Sequence, residues 1–230
     1  MGELIGKTVP LAIGAAISPI LVISVVLLLS GTRKPRARAL AFAIGNVVAL
    51  VLVAVVVLLL FHSAGHTGTG STQAGKLIDL VLGVLLAAIG VGKLIEFVYL
   101  KLSGDGDAAA PDAETDHPAG GKGGVLGSLA LGVGLMATNI TTIALFLSAM
   151  KDVAEAKVGN GTRVVVVVIA IVIIMVPVAV PLLITVLAPG ASTRVLAAVR
   201  TFISRYRDLI MGIFVTGFGV YLTVKGVGGG

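Results

Sequence analysis

Long apolar runs separated by short clusters of charge dominate this chain. Stretches without Asp, Glu, Lys or Arg cover residues 8–32, 39–75, 123–150 and 164–193, with two shorter ones at 80–92 and 209–224. A membrane-spanning helix needs about 20 mostly apolar residues. The two shorter stretches reach that length if their flanking charges extend to the interface. The end of the second stretch, Ser63 to Gly75, is a Gly/Ser/Thr loop. The pattern therefore predicts six helices, at roughly 8–30, 39–61, 77–100, 125–149, 163–187 and 206–225. No period-two alternation occurs, which argues against a β-barrel. The first helix has only Lys7 ahead of it, an overlong apolar run and no small-x-small cleavage site, so it reads as a retained span rather than a signal peptide.

Composition agrees with this pattern and narrows it. Of 230 residues, 57% are hydrophobic and 12% charged, whereas soluble domains average about 25% charged. The absence of cysteine removes disulfides, thiolate metal sites and thiol chemistry. The net charge of +6 lies between apolar runs, so it points to anionic lipid headgroups and membrane orientation rather than to nucleic acid. The loops after helices one, three and five carry Arg33, Lys34, Arg36, Arg38, Lys101, Lys122, Arg194, Arg200, Arg205 and Arg207. The opposite side carries Lys7, Lys76, Lys151, Lys157, Arg163 and Lys225. Ten against six predicts both termini outside. Residues 103–124 hold Asp105, Asp107, Asp112, Glu114 and Asp116 among Gly, Ala and Pro, and read as a flexible acidic linker.

The chain also repeats itself. Leu11-Ala12-Ile13-Gly14 parallels Leu129-Ala130-Leu131-Gly132, and Leu27-Leu28-Leu29-Ser30 parallels Leu145-Phe146-Leu147-Ser148. Asp79-Leu80-Val81-Leu82-Gly83 parallels Asp208-Leu209-Ile210-Met211-Gly212, with Gly90-Val91 and Gly219-Val220 seven residues on. Three helices per copy is an odd number, so the second copy enters the membrane from the other side. The expected fold is all-α and polytopic: six transmembrane helices as two inverted three-helix repeats, 1–102 and 125–230, joined by the linker 103–124.

Such folds place their site near the midplane, at interrupted helices. Ser18-Pro19 interrupts helix one, since a proline removes a backbone donor and frees a carbonyl. Its counterpart in helix four is the polar run Thr138-Asn139-Ile140-Thr141-Thr142. Ser18, Pro19, Thr138, Asn139, Thr141 and Thr142 are therefore candidate substrate-binding residues, with small-residue helix packing as the competing reading. Asn46 stands between helix–helix glue and site lining. Ser24 and Thr216 read as packing. Pro177 and Pro181 should kink helix five, as a hinge or a fixed bend. Asp79 and Asp208 read as helix caps, and Lys93 with Glu96 as a surface pair. His62 and His66 share a Gly/Thr-rich loop without further ligands, so no metal is expected, and no cofactor. No catalytic constellation is present and no charge lies at the centre of a span, which argues against an enzyme and against a carboxylate proton relay.

The run Val9-Pro10-Leu11-Ala12-Ile13-Gly14-Ala15-Ala16-Ile17-Ser18-Pro19-Ile20 resembles the first helix of the actinobacterial GAP family, the glycopeptidolipid- and sulfolipid-addressing proteins of the LysE exporter superfamily. The basic loop Thr32-Arg33-Lys34-Pro35-Arg36-Ala37-Arg38 and the segment Ala41-Phe42-Ala43-Ile44-Gly45-Asn46 continue the resemblance. It implies a LysE/CcdA-like fold, an inner-membrane location and a role in exporting a lipid or glycolipid. The thiol-transferring CcdA branch is excluded by the missing cysteines. Many relatives carry an Asn-Pro-Lys-like turn in helix four, where this chain has Thr138-Asn139-Ile140-Thr141 and only the Asn matches.

The resulting expectation is a translocator for a lipid-linked or glycolipid substrate, with a central polar site between the repeats. Arg33, Lys34, Arg36 and Arg38 would attract anionic headgroups, each worth about 1 kcal/mol near such a surface. An exporter of a small amino acid or ion is one alternative. A non-transporting partner of a larger lipid-export assembly is another. Expected partners are membrane lipids, the lipid substrate, and a second copy or an export-complex protein.

Overall fold

A computed structural model describes residues 2–31, 34–64, 124–187 and 189–228, and between them 80, 81, 83, 84, 86–88 and 91. Linker residues 103–123, Asp79, Lys93, Glu96, His66 and Arg33 lie outside the described residues, as do the side chains of His62 and Asp208.

All described elements are helices. The first predicted span is two helices, α1 (Gly2–Ala16) and α2 (Pro19–Leu29), bent by 53° at the break. The cause is local. A residue before proline is pushed out of the helical region, and Ser18 is extended at φ −128°, ψ 96°. Pro19 then starts α2 at the position where its missing N–H costs nothing. The second span is α3 (Pro35–Ala64), uninterrupted. The predicted helix at 125–149 is again two helices, α4 (Gly124–Thr138) and α5 (Ile140–Glu155), bent by 72°. This break has no proline. Asn139 leaves the helical region (φ −79°, ψ 80°) and caps α5, accepting a hydrogen bond from the Thr142 N–H.

The fifth span is α6 (Asn160–Leu187), which carries Pro177 and Pro181 inside one continuous helix. The last helix, α7 (Pro189–Gly228), begins well before the predicted 206, with Pro189 at its first position. Its apolar part is Gly212–Val227. Among the described residues, two helices are long and apolar enough to cross a membrane, Pro35–Phe61 and Asn160–Leu187, or four if each bent pair is one span. Both unbroken helices expose apolar stripes: Leu40, Ile44, Val48, Leu52, Val55 and Leu59 on α3, and Val164, Val168, Val172, Val176, Val180 and Leu183 on α6. Water would not tolerate surfaces of this size, whereas lipid does. The chain is a multi-pass membrane protein.

The broken pieces pack across the chain. Both α1 and α2 lie on α6, while both α4 and α5 lie on α3, and α1 also packs on α5. Leu11, Ala12 and Ala15 of α1 are buried against a core that includes Leu145, Phe146 and Ala149 of α5. Lipid supplies no hydrophobic drive between helices, so van der Waals fit must hold them. Gly45 lies against the Leu129 carbonyl and Gly132 against the Phe42 carbonyl, so α3 and α4 meet backbone to backbone. The repeated glycine motif has the same use: Gly83 lies against Gly219 and Thr223, and Gly219 lies against Ala87.

A methyl group at the α3–α4 seam would meet backbone. Gly45→Ala and Gly132→Ala should each cost on the order of 1–3 kcal/mol. Gly127→Ala and Gly134→Ala, where a methyl meets nothing within 4 Å, should be neutral or slightly stabilising. Thermal unfolding of the four variants in detergent separates the two classes, and equal behaviour would contradict the seam.

Candidate functional site

The two breaks meet. Asn139 Nδ2 donates to Ser18 Oγ at 2.7 Å, and the same Asn139 side chain accepts from the Thr142 N–H at 3.4 Å. Thr142 Oγ1 donates to the Ala15 carbonyl at 3.0 Å. That carbonyl is the one Pro19 orphans, because the missing proline N–H would have bonded four residues back. A hydroxyl from the other broken helix therefore answers the vacancy. Ser18 and Thr142 are buried and Asn139 is half-buried. The junction is neutral and built from one amide, two hydroxyls and freed backbone. It suits hydrogen bonding to a polar group, and carries neither a nucleophile–base pair nor a charge.

Beside the junction lies a cavity of about 420 Å³. One wall is Ile13, Ala16, Ile17, Ser18, Pro19 and Val22, at the α1–α2 break. The other is Ile173, Val176 and Pro177 of α6, with Ile210 of α7. Apart from Ser18 the lining is apolar. Ile13 and Val176 are about half exposed on the outer surface of the bundle, so the cavity is a groove reached sideways from the lipid-facing side.

Other candidates fall elsewhere. Thr138 is exposed, and its hydroxyl turns back to the Gly134 carbonyl (2.9 Å) and the Leu135 carbonyl (3.3 Å) of its own helix. Thr141 is half-buried, one step round the helix from Thr142. Asn46 is fully buried at the α3–α4 seam, next to Gly132. Its Nδ2 donates to the Phe42 carbonyl at 2.8 Å, and its Oδ1 has no partner. Its hydrogen bond stays within its own helix.

The basic loop is engaged at one end of the bundle. Arg36 donates to the Thr185 carbonyl (3.1 Å) and Arg38 to Ser128 Oγ (3.2 Å). Lys34 is exposed and sits at φ 46° in the turn before Pro35. The opposite end holds a feature that the spacing of charges did not reveal. Lys225 near the end of α7 grips both carboxylate oxygens of Asp152, at 2.7 and 2.6 Å, and Lys151 lies 3.9 Å from the same carboxylate. In the sequence Asp152 only borders a loop, and its partner is 73 residues away. Pro177 was likewise readable as a bend and not as a groove wall. Among the described residues, no three His, Cys, Asp or Glu gather to hold a metal.

A family model described as Sap, sulfolipid-1-addressing protein, matches residues 8–228. No curated protein and no solved structure matches the chain.

The junction predicts coupled energetics. Ser18→Ala and Asn139→Ala should each destabilise, with a double-mutant coupling of about 0.5–1.5 kcal/mol. Asn139→Ala should cost about 1 kcal/mol more than Ser18→Ala, because α5 also loses its cap. Additive single effects in an unfolding titration would show that the Ser18–Asn139 bond does not couple the two breaks.

Proposed function

The chain belongs to the sulfolipid-1-addressing protein family, and from that premise we propose that it translocates a lipid-linked or glycolipid substrate across the bacterial inner membrane. Membership gives the coarser statement, a lipid-export-related role and an association with lipids. The finer one rests on a single observation: an apolar groove runs beside the polar junction of two broken helices, with Ser18 common to both. In this reading the headgroup exchanges hydrogen bonds with Ser18, Asn139 and Thr142 while an acyl or prenyl chain stays in the groove between Pro19 and Pro177. Polar groups inside a bilayer need partners at every step. The junction offers them without a charge that would hold an anionic headgroup too tightly.

The architecture proposed is six spans as two inverted three-helix repeats, residues 1–102 and 125–230, with 103–124 as linker, in the manner of the LysE superfamily. Two features support it. Each copy begins with a broken helix, and each broken helix packs on the unbroken helix of the other copy, α1–α2 on α6 and α4–α5 on α3. Both termini would face outward, with Arg33, Lys34, Arg36 and Arg38 at the cytoplasmic headgroups. The reading assigns no covalent chemistry, so the protein is proposed as a transporter and not an enzyme. A small amino acid or ion would call for a closed polar cavity, and the lateral apolar groove weighs against that. Membership in a larger export assembly remains compatible with the same site.

Reconstituted vesicles carrying labelled glycolipid, sulfated glycolipid or polyprenyl phosphate provide the test. The wild type should move at least one of them faster than protein-free vesicles do. Val176→Trp, which fills the groove from an exposed position, should slow that movement by about tenfold or more, equivalent to about 1.4 kcal/mol. Absence of movement by the wild type across the panel would overturn the reading.

A further inference from the structure

We infer that the middle of α6, from Ile173 to Pro181, is a hinge that makes α6 the moving wall of the groove, with the α1–α2 break as the fixed wall. The inference rests on the reading of the groove as the place of a lipid chain. Three observations carry it.

The first is a gap in the hydrogen-bond ladder. In a helix each carbonyl accepts from the N–H four residues on, and proline has none to give. Pro177 therefore leaves the Ile173 carbonyl without its helical donor, and Pro181 does the same to the Pro177 carbonyl. Two successive rungs are missing on one face of a helix that stays continuous. The contrast with the opposite wall is direct. There the carbonyl freed by Pro19 is tied down by Thr142, and Asn139 holds Ser18 beside it. Among the described residues, no side chain answers the Ile173 or the Pro177 carbonyl in that way. The nearest hydroxyl in α6, on Thr185, bonds the Pro181 carbonyl instead, at 2.9 Å. Kinks localise at proline. One bonded to its neighbours is a fixed bend, whereas one without such bonds can change its angle.

Second, the ends of α6 are held. Arg163, in the first turn, donates to the carbonyls of Ala154 (3.4 Å) and Ala156 (3.1 Å) where α5 finishes. Thr185, in the last turn, accepts from Arg36 at the start of α3 (3.1 Å). Between these ties Ala170, Ile174 and Val178 are buried on the bundle. Ends and inner face keep α6 in place, so its remaining freedom is to bend at the missing rungs.

Third, the same segment has room to bend. Close-packed neighbours resist displacement, but Ile173 and Pro177 stand beside a groove of about 420 Å³, and Val172 and Val180 face outward from the bundle. Bending there changes the width of the groove and leaves the Ser18–Asn139 junction intact.

The natural absence of cysteine makes a direct test available. Spin labels on Val172→Cys and Leu52→Cys, both exposed, report the distance from the middle of α6 to α3. Labels on Val164→Cys, also exposed, and Leu52→Cys report the held end. In vesicles the middle pair should give a distance distribution about twice as broad as the end pair, or two peaks. Pro177→Ala with Pro181→Ala returns both donors, and should narrow the middle pair to the width of the end pair. The same double substitution should slow lipid movement by about tenfold. Pro181→Ala alone returns one donor and should narrow the distribution in part, which keeps the test usable if the double variant does not fold. Pro10→Ala, at an exposed proline inside α1 away from the groove lining, should change neither readout. A middle pair as narrow as the end pair, or one that the α6 prolines do not affect, would overturn the hinge. The distances need no lipid substrate. Responsive distances with no lipid movement by the wild type would reject the translocation reading alone, and moving lipid with unresponsive distances would reject the hinge alone.

Discussion

The Ala15 carbonyl is the point on which this structure turns. Proline at position 19 deprives it of its helical donor, and hydrocarbon provides no water to replace one. An unanswered backbone acceptor at this depth would be costly. The Thr142 hydroxyl supplies the bond from the other broken helix, and Asn139 adds a second tie to Ser18. Each break is therefore satisfied partly by the other. Two interruptions that would each be a liability become a single polar junction when they face one another.

The junction needs the helices around it to hold still, and they do so without a hydrophobic driving force. Glycines at 45, 132, 83 and 219 allow backbone to approach backbone, which maximises dispersion contact where large side chains would hold the helices apart. The groove results from the opposite choice. Where α1 turns away at Ser18 it leaves space against Pro177, and no side chain fills it. Tight glycine seams and an open groove thus stand side by side in one bundle. The two ends differ as well. Arginines tie the start of α3 to backbone and hydroxyl groups at one end, while a buried lysine–aspartate pair occupies the other.

Part of the site was readable in the chain. The missing N–H of Pro19 made a break at Ser18 legible, although Pro10 and Pro177 sit inside helices that continue through them. The second break was legible through the repeat, which brings the polar run at Thr138-Asn139 near the counterpart of Ser18-Pro19. Thr138 has the same chemistry as Thr142 and was equally eligible by composition. It differs in facing outward, where its hydroxyl returns to its own helix. Asn46 was open between two roles for the same reason: an amide says that a partner is needed but not where it lies. Arg36 and Arg38 read as free headgroup contacts, since nothing in a basic loop announces Thr185 or Ser128 as neighbours.

Sequence alone determined that the chain lives in lipid, where four of its apolar spans run, and that two of them are interrupted. Each of these follows from apolar length, charge spacing, the repeat or the geometry of one or two adjacent residues. Tertiary structure decided which hydroxyl answers the freed carbonyl, which proline walls the groove, and that Asp152 belongs to Lys225. Those pairings join residues far apart in the chain, and their energies depend on distance and burial. Neither quantity exists until the helices have packed.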